Sequence, residues 1–369
     1  MSKTKLGTAE AIMIILTVIV ARSILSLPTD ILNAFKSATI LNLIYVSIIA
    51  ILIVLLICKL FKKFPGLDII DICEITGGKV FKNIIGSIFI IYFLVSAGLM
   101  TRNFCESIKI LYYPMTNVFF IIALFIIAIC TVNRLNFGAT AKTTLIIIPI
   151  ALISILFLFF TNINKFVPER IFPILGNGFF NTFILGTTNI ASFGGIAYLY
   201  FLPPMLKEPK NFKKIALISI VLTAIFLIFT VAILLFIFTF FVHVDEISPL
   251  YTATRYIEFG NFFQRLESLF LLIWILIFAC YISIACRFSM NIFQKLTNIE
   301  TTKPLVNIFG LLVLAIALIP KNLAIVQDFG SKIYPYLMIA LVLIISISIL
   351  IFANIIKRKK QLNARKESS

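Results

Sequence analysis

Stretches of about 18 or more predominantly apolar residues recur from one end of this chain to the other. That pattern is the signature of membrane-crossing helices. "TILNLIYVSIIAILIVLLIC" (39–58) and "IALISIVLTAIFLIFTVAILLFIFTFF" (215–241) are two of them. A large soluble helical domain would need far more polar surface. Here 61% of the 369 residues are hydrophobic and only 13% are charged, against roughly half apolar and about a quarter charged in ordinary soluble domains. The expected fold class is therefore an all-α integral membrane protein.

Hydropathy places ten spans, near 9–34, 39–60, 83–111, 116–133, 140–161, 184–206, 212–242, 263–290, 304–320 and 330–356. They form a single membrane domain over 1–369. Its two five-helix halves cover about 9–161 and 184–356, and a basic tail follows at 357–369. The first apolar run has no small-residue cleavage site, so it reads as a span rather than a cleavable signal. The segment "FPGLDIIDICEITGGKVFKN" (64–83) is too polar to span. It reads as a short interfacial helix with a break at Gly77-Gly78.

The net charge of +17 has a membrane explanation. With the N-terminus inside, most Lys and Arg residues fall in inner loops and in the tail, which is the positive-inside pattern. Both termini are then cytoplasmic, and no nucleic-acid partner is needed to explain the charge. Six cysteines with no C-x-x-C pair, and one histidine, His243, imply no metal site, disulfide framework or cofactor. No G-x-S-x-G or HExxH motif and no paired catalytic carboxylates stand out, so no catalytic residue is assigned and no enzyme is expected.

Two spans are interrupted. The first, "VIVARSILSLPTDIL" (18–32), carries Ala21, Arg22, Ser23, Ser26 and Pro28; the sixth, "NIASFGGIAYLYFLPP" (189–204), carries Ser192, Phe193, Gly194 and Gly195. Each opens a five-helix half. Matching breaks in two halves point to a transporter-type architecture with a ligand site at mid-membrane. Unwound backbone frees N–H groups for a carboxylate and carbonyls for a cation. Gly194 and Gly195 also fit a plainer role, the close approach of two helices.

Charges at membrane depth are costly and face partners or water. Arg102 and Glu106 are four apart and share a helix face. Arg265 and Glu267, in "FFQRLESLFLLIWIL" (262–276), are two apart and do not. Either these four line an outer vestibule around the broken helices, or Arg265 and Glu267 mark a helix start at headgroup level.

Three stretches carry a family resemblance: "AEAIMIILTVIVARSILSLP" (9–28), "NIASFGGIAYLYFLPPML" (189–206) and above all "SPLYTATRYIEFGNFFQRLESLFLLIWIL" (248–276). The chain resembles the B subunit of spore germinant receptors, the endospore germination permease family of the amino acid–polyamine–organocation superfamily. The resemblance implies a LeuT-like fold of five plus five inverted helices with helices 1 and 6 broken. It implies a site that senses a small nutrient germinant, most simply an amino acid. Partnership with an A-type subunit and a C-type lipoprotein subunit, besides membrane lipids, in the inner membrane of the spore is implied too. By position, Ala21 to Ser26 and Ser192 to Gly195 would line the ligand. Ala21-Arg22 departs from the small residues such permeases tend to carry there. The arginine either reads an additional carboxylate or fills a structural role. A proton- or sodium-coupled amino-acid transporter is the alternative function, because fold alone does not separate the two.

Overall fold

In hydrocarbon every backbone N–H and C=O must be satisfied within the chain, and helices do this segment by segment. The computed structural model follows that rule. It describes residues 5–23, 25, 27–135, 137–238, 249–255 and 266–367, with backbone alone at 255, 266, 267 and 360–367. All the regular elements among the described residues are helical.

They run α1 (Thr8–Ser23), α2 (Leu27–Phe35), α3 (Thr39–Phe61), α4 (Ile69–Tyr112), α5 (Val118–Arg134) and α6 (Phe137–Asn162). A wide π-type turn (Phe180–Ile184) and a tight 3-10 stretch (Leu185–Phe193) then lead into α7 (Ile196–Leu199). After these come α8 (Phe212–Ile237), α9 (Pro249–Arg255), α10 (Leu266–Thr297), α11 (Leu305–Leu318), α12 (Leu323–Asp328), α13 (Tyr334–Met338) and α14 (Ser346–Glu367).

Six helical stretches are long and apolar enough to cross a membrane: Leu27–Phe61, Ile69–Tyr112, Phe137–Lys165, Pro209–Ile237, Ser268–Thr297 and Leu323–Lys359. The chain is an integral membrane protein. The sequence led us to expect ten spans, and the difference has a local cause in each case. The first and sixth are interrupted. The fourth and ninth are α5, with 17 residues, and α11, with 14. At about 1.5 Å per residue such helices reach only about 21–26 Å, short of a hydrocarbon core of about 30 Å.

The interior is built by α1, α4, α8 and α10. Helix α10 packs on α4, α5, α6 and α1, while α8 packs on α3 and α1. Large buried rings of α4 and α10, Phe93, Trp274, Phe278 and Phe288, lie in this interior, joined by Tyr200 just after α7. Helices α3, α6 and α11 instead turn Ile48, Leu52, Ile146, Ile153, Ile308 and Leu311 outward, an apolar exterior that suits lipid.

The polar segment 64–83 becomes the first turns of α4. Asp68 caps the helix by accepting from the Ile70 and Asp71 backbone N–H groups at 3.0 Å each, and Asp71 returns the bond to the Asp68 N–H at 3.1 Å. The break expected at Gly77-Gly78 is a kink at Gly78, whose φ of 74° and ψ of −170° lie outside the helical region. Only glycine reaches that conformation without strain.

Candidate functional site

Helix α1 ends at Ser23 and α2 begins at Leu27. Pro28 sits in the first turn of α2, where a missing N–H costs nothing because first-turn donors have no intrahelical partner. Ser23 does not offer its hydroxyl to the break; it donates back to the Ile19 carbonyl at 2.9 Å. Ala21 is fully buried.

The sixth segment is held in its irregular winding by α3. Asn42 donates to the carbonyls of Thr182 at 2.8 Å and Gly186 at 3.1 Å, and it accepts from the Asn189 amide at 2.7 Å. Ser192 donates to Asn189 at 2.6 Å. The amide thus supplies partners for backbone groups that an ordinary helix would have satisfied itself. Phe193 is fully buried.

The two glycines that follow have different neighbours. A Cβ on Gly195 would meet Ile19 at 3.0 Å and Ile15 at 3.1 Å, so this glycine allows close packing on α1. A Cβ on Gly194 would meet the Tyr334 hydroxyl at 2.6 Å and Arg22 Nη1 at 3.2 Å. Gly194 therefore makes room for polar groups, whereas Gly195 makes room for apolar ones.

Arg22 joins the two breaks. Its Nη1 donates to the Ala191 carbonyl at 3.2 Å, and its guanidinium lies 4.2 Å from the centre of the Tyr334 ring. Tyr334 in turn meets Tyr92 of α4, hydroxyl to hydroxyl, at 3.0 Å. Beside this group lies a cavity of about 40 Å³ whose polar lining is Arg22, Asp30, Ser96, Asn103 and Tyr334. Asn103 is 4% exposed, and its Oδ1 has no hydrogen-bond partner. Ser96 is engaged with Tyr281 at 2.9 Å.

Arg102 and Glu106 pair as their spacing implied, through Nε at 2.9 Å and Nη2 at 2.8 Å. Arg102 also donates to the carbonyls of Ala317 at 3.2 Å and Lys321 at 3.3 Å. These lie at and just beyond the C-terminal end of α11, where carbonyls lack helical partners and a positive charge is favoured. Ser26 and Arg265 lie outside the described residues, as does the Glu267 side chain. A second charged cluster joins the start of α4 to the end of α10: Lys295 contacts Asp68 and donates to both oxygens of Asp71 at 2.9 and 2.7 Å. Burial pushes the Asp68 carboxyl up to about 6, against the pull of the Lys295 ammonium.

Of the residues singled out by sequence, Arg22 lines the cavity, and Gly194 lies against Arg22 and Tyr334. Ala21, Ser23, Ser192 and Phe193 pack or brace the breaks behind it. Tyr334, Asn103, Ser96, Asp30 and Tyr92 were missed. One signal was available: "DFGSKIYPY" (328–336) is a third Gly- and Pro-bearing interruption in an apolar run, and it folds as a π-type turn entering α13.

The fold is similar to that of a mutant manganese transporter from Eremococcus coleocola known from a crystal structure. The TM-score is 0.53 over 94% of this chain and 76% of that one, with 15% identity. At that identity the likeness is one of fold. Spore germination protein YndE of Bacillus subtilis (strain 168) is 25% identical over 326 residues, covering 86% of this chain and 88% of its own. Spore germination protein A2 of the same organism is 26% identical over 258 residues, covering 66% and 67%. A family model described as spore germination protein matches residues 5–326. With that match spanning both broken segments and most of the helical core, the chain belongs to the spore germination protein family.

Proposed function

We propose that this chain is the nutrient-sensing subunit of a spore germinant receptor, a non-enzymatic membrane protein that uses a transporter-type fold to bind a small germinant and trigger germination. The observation that carries the reading is the junction at Arg22. In a member of the spore germination family, two interrupted membrane segments meet through a charged side chain beside a cavity that carries Asp30, Ser96, Asn103 and Tyr334 among apolar residues. Broken helices facing each other at a cavity are where transporter folds place ligands.

In this reading the ten hydropathy spans form two inverted five-helix halves, about 9–161 and 184–356. Both termini are cytoplasmic, in the inner membrane of the spore. Ala21, Arg22, Ser23, Ser26 and Ser192 to Gly195 surround the ligand. Arg102 and Glu106, with Arg265 and Glu267, border the outer approach. A-type and C-type subunits are the partners, and the germinant is an amino acid or a similarly small nutrient.

The fold likeness to a transporter favours a second reading, a proton- or sodium-coupled amino-acid transporter. At 15% identity the likeness is one of fold, and that transporter's manganese is not carried over to this chain. The deciding experiment is nutrient-triggered germination of spores lacking only this chain, across amino acids and sugars, beside labelled uptake by growing cells. Loss of response to particular nutrients with normal uptake supports the receptor. Unchanged germination with reduced uptake makes it a transporter.

A further inference from the structure

Arg22 carries a permanent charge with five N–H donors. Among the described residues it makes one hydrogen bond, to the Ala191 carbonyl, and one ring contact, to Tyr334, and it takes part in none of the ion pairs. A neutral carbonyl and a ring face hold a guanidinium less firmly than a carboxylate, which accepts two parallel charge-assisted bonds. Across the same cavity the Asn103 Oδ1 is buried without a donor, a costly condition for an acceptor. One wall of the cavity therefore presents surplus cationic donors and another an unmet acceptor. A single small molecule bearing an anionic oxygen pair and an N–H group would satisfy both.

Resting on the germinant-binding reading, we propose that Arg22 is the specificity-determining residue of the site. It binds the free carboxylate of the ligand, while Asn103 accepts from the ligand's amino group. The carboxylate takes the place of the Ala191 carbonyl on Nη1. Binding thereby releases a backbone group of the interrupted sixth segment, which couples occupancy to that break. Tyr334 is the positioning residue: its ring supports the guanidinium from behind, and its hydroxyl is fixed by Tyr92. The cavity of about 40 Å³ is small, which favours a compact ligand such as a small amino acid over a sugar.

The test uses the full-length chain in lipid nanodiscs and calorimetric titration with the common amino acids, each beside its carboxamide, and with glucose and fructose. The expected result is that at least one small amino acid binds about tenfold or more tighter than its amide. Arg22→Gln should weaken that ligand about 10- to 100-fold and abolish the acid–amide difference. Arg22→Lys, which keeps the charge, should restore part of the discrimination and guards against simple misfolding. Asn103→Leu should weaken an amino acid but not the matching carboxylic acid without the amine. Equal binding of acid and amide, or unchanged affinity in Arg22→Gln, overturns the assignment of Arg22 while leaving the chain a germinant binder. Absence of binding by every member of the panel overturns the assignment too, and normal germination of spores lacking the chain then removes the receptor reading with it.

Discussion

Replacing Glu106 with glutamine removes the only carboxylate that faces Arg102 among the described residues. Arg102 is 5% exposed and Glu106 is 8% exposed, so water does not take over as partner. Breaking a buried pair by removing one member costs about 3–5 kcal/mol, because the other charge stays buried. Arg102 keeps two acceptors in the carbonyls of Ala317 and Lys321, which places Glu106→Gln at the low end, about 3 kcal/mol. Removing both charges in Arg102→Leu/Glu106→Leu leaves no unpaired charge, only two carbonyls short of a donor. Each buried orphan costs about 1–3 kcal/mol, and these two gain relief by tightening the last turn of α11. The double variant should therefore be at least as stable as Glu106→Gln, a strongly non-additive outcome for residues in contact. The chain's single tryptophan, Trp274, is fully buried against Phe270 and reports unfolding in mixed micelles of rising SDS fraction. A Glu106→Gln chain within about 1 kcal/mol of the parent, the range of exposed pairs, together with a double variant that is less stable, would refute the argument that this pair is a buried link between α4 and α11.

Four further outcomes are expected. Gly194→Ala drives a methyl group into the Tyr334 hydroxyl and should reduce the germination response, with Gly194→Ala/Tyr334→Phe recovering part of it; dipicolinate release from spores reads both. Gly195→Ala should cost about 1–3 kcal/mol by overpacking against Ile15 and Ile19, measured by the Trp274 unfolding assay. Asn42→Ala withdraws donors from the Thr182 and Gly186 carbonyls and should destabilise by about 2–3 kcal/mol, with faster proteolysis within 180–193; an unchanged unfolding profile would show that α3 does not brace that segment. Asp68→Ala removes both a helix cap and one partner of Lys295, and a loss of about 2 kcal/mol in the same assay is the expected result.

The interruptions in the first and sixth segments were legible because Gly-Gly, Pro and a charge stand out against an apolar background. Arg102 and Glu106 were legible because four-residue spacing fixes a shared helix face whatever the tertiary fold. The partner of Arg22 was not. The structure gives Glu106 to Arg102 and gives Arg22 the Ala191 carbonyl and the Tyr334 ring. Nothing local to Arg22 points to a tyrosine near the far end of the chain. Likewise, the two adjacent glycines look interchangeable in sequence, and only their surroundings separate a packing role from a site role.

Apolar runs of about 18 or more residues, with their Gly and Pro interruptions, committed this chain to helices in a membrane, since a barrel strand crosses with only about ten residues. They also fixed where those helices stop, because Gly and Pro act on the backbone locally. Which side chains meet at the stops was decided by the tertiary structure. Arg22, Asn103, Gly194 and Tyr334 come from four separate segments, and their meeting depends on how whole helices pack. No residue spacing encodes that packing.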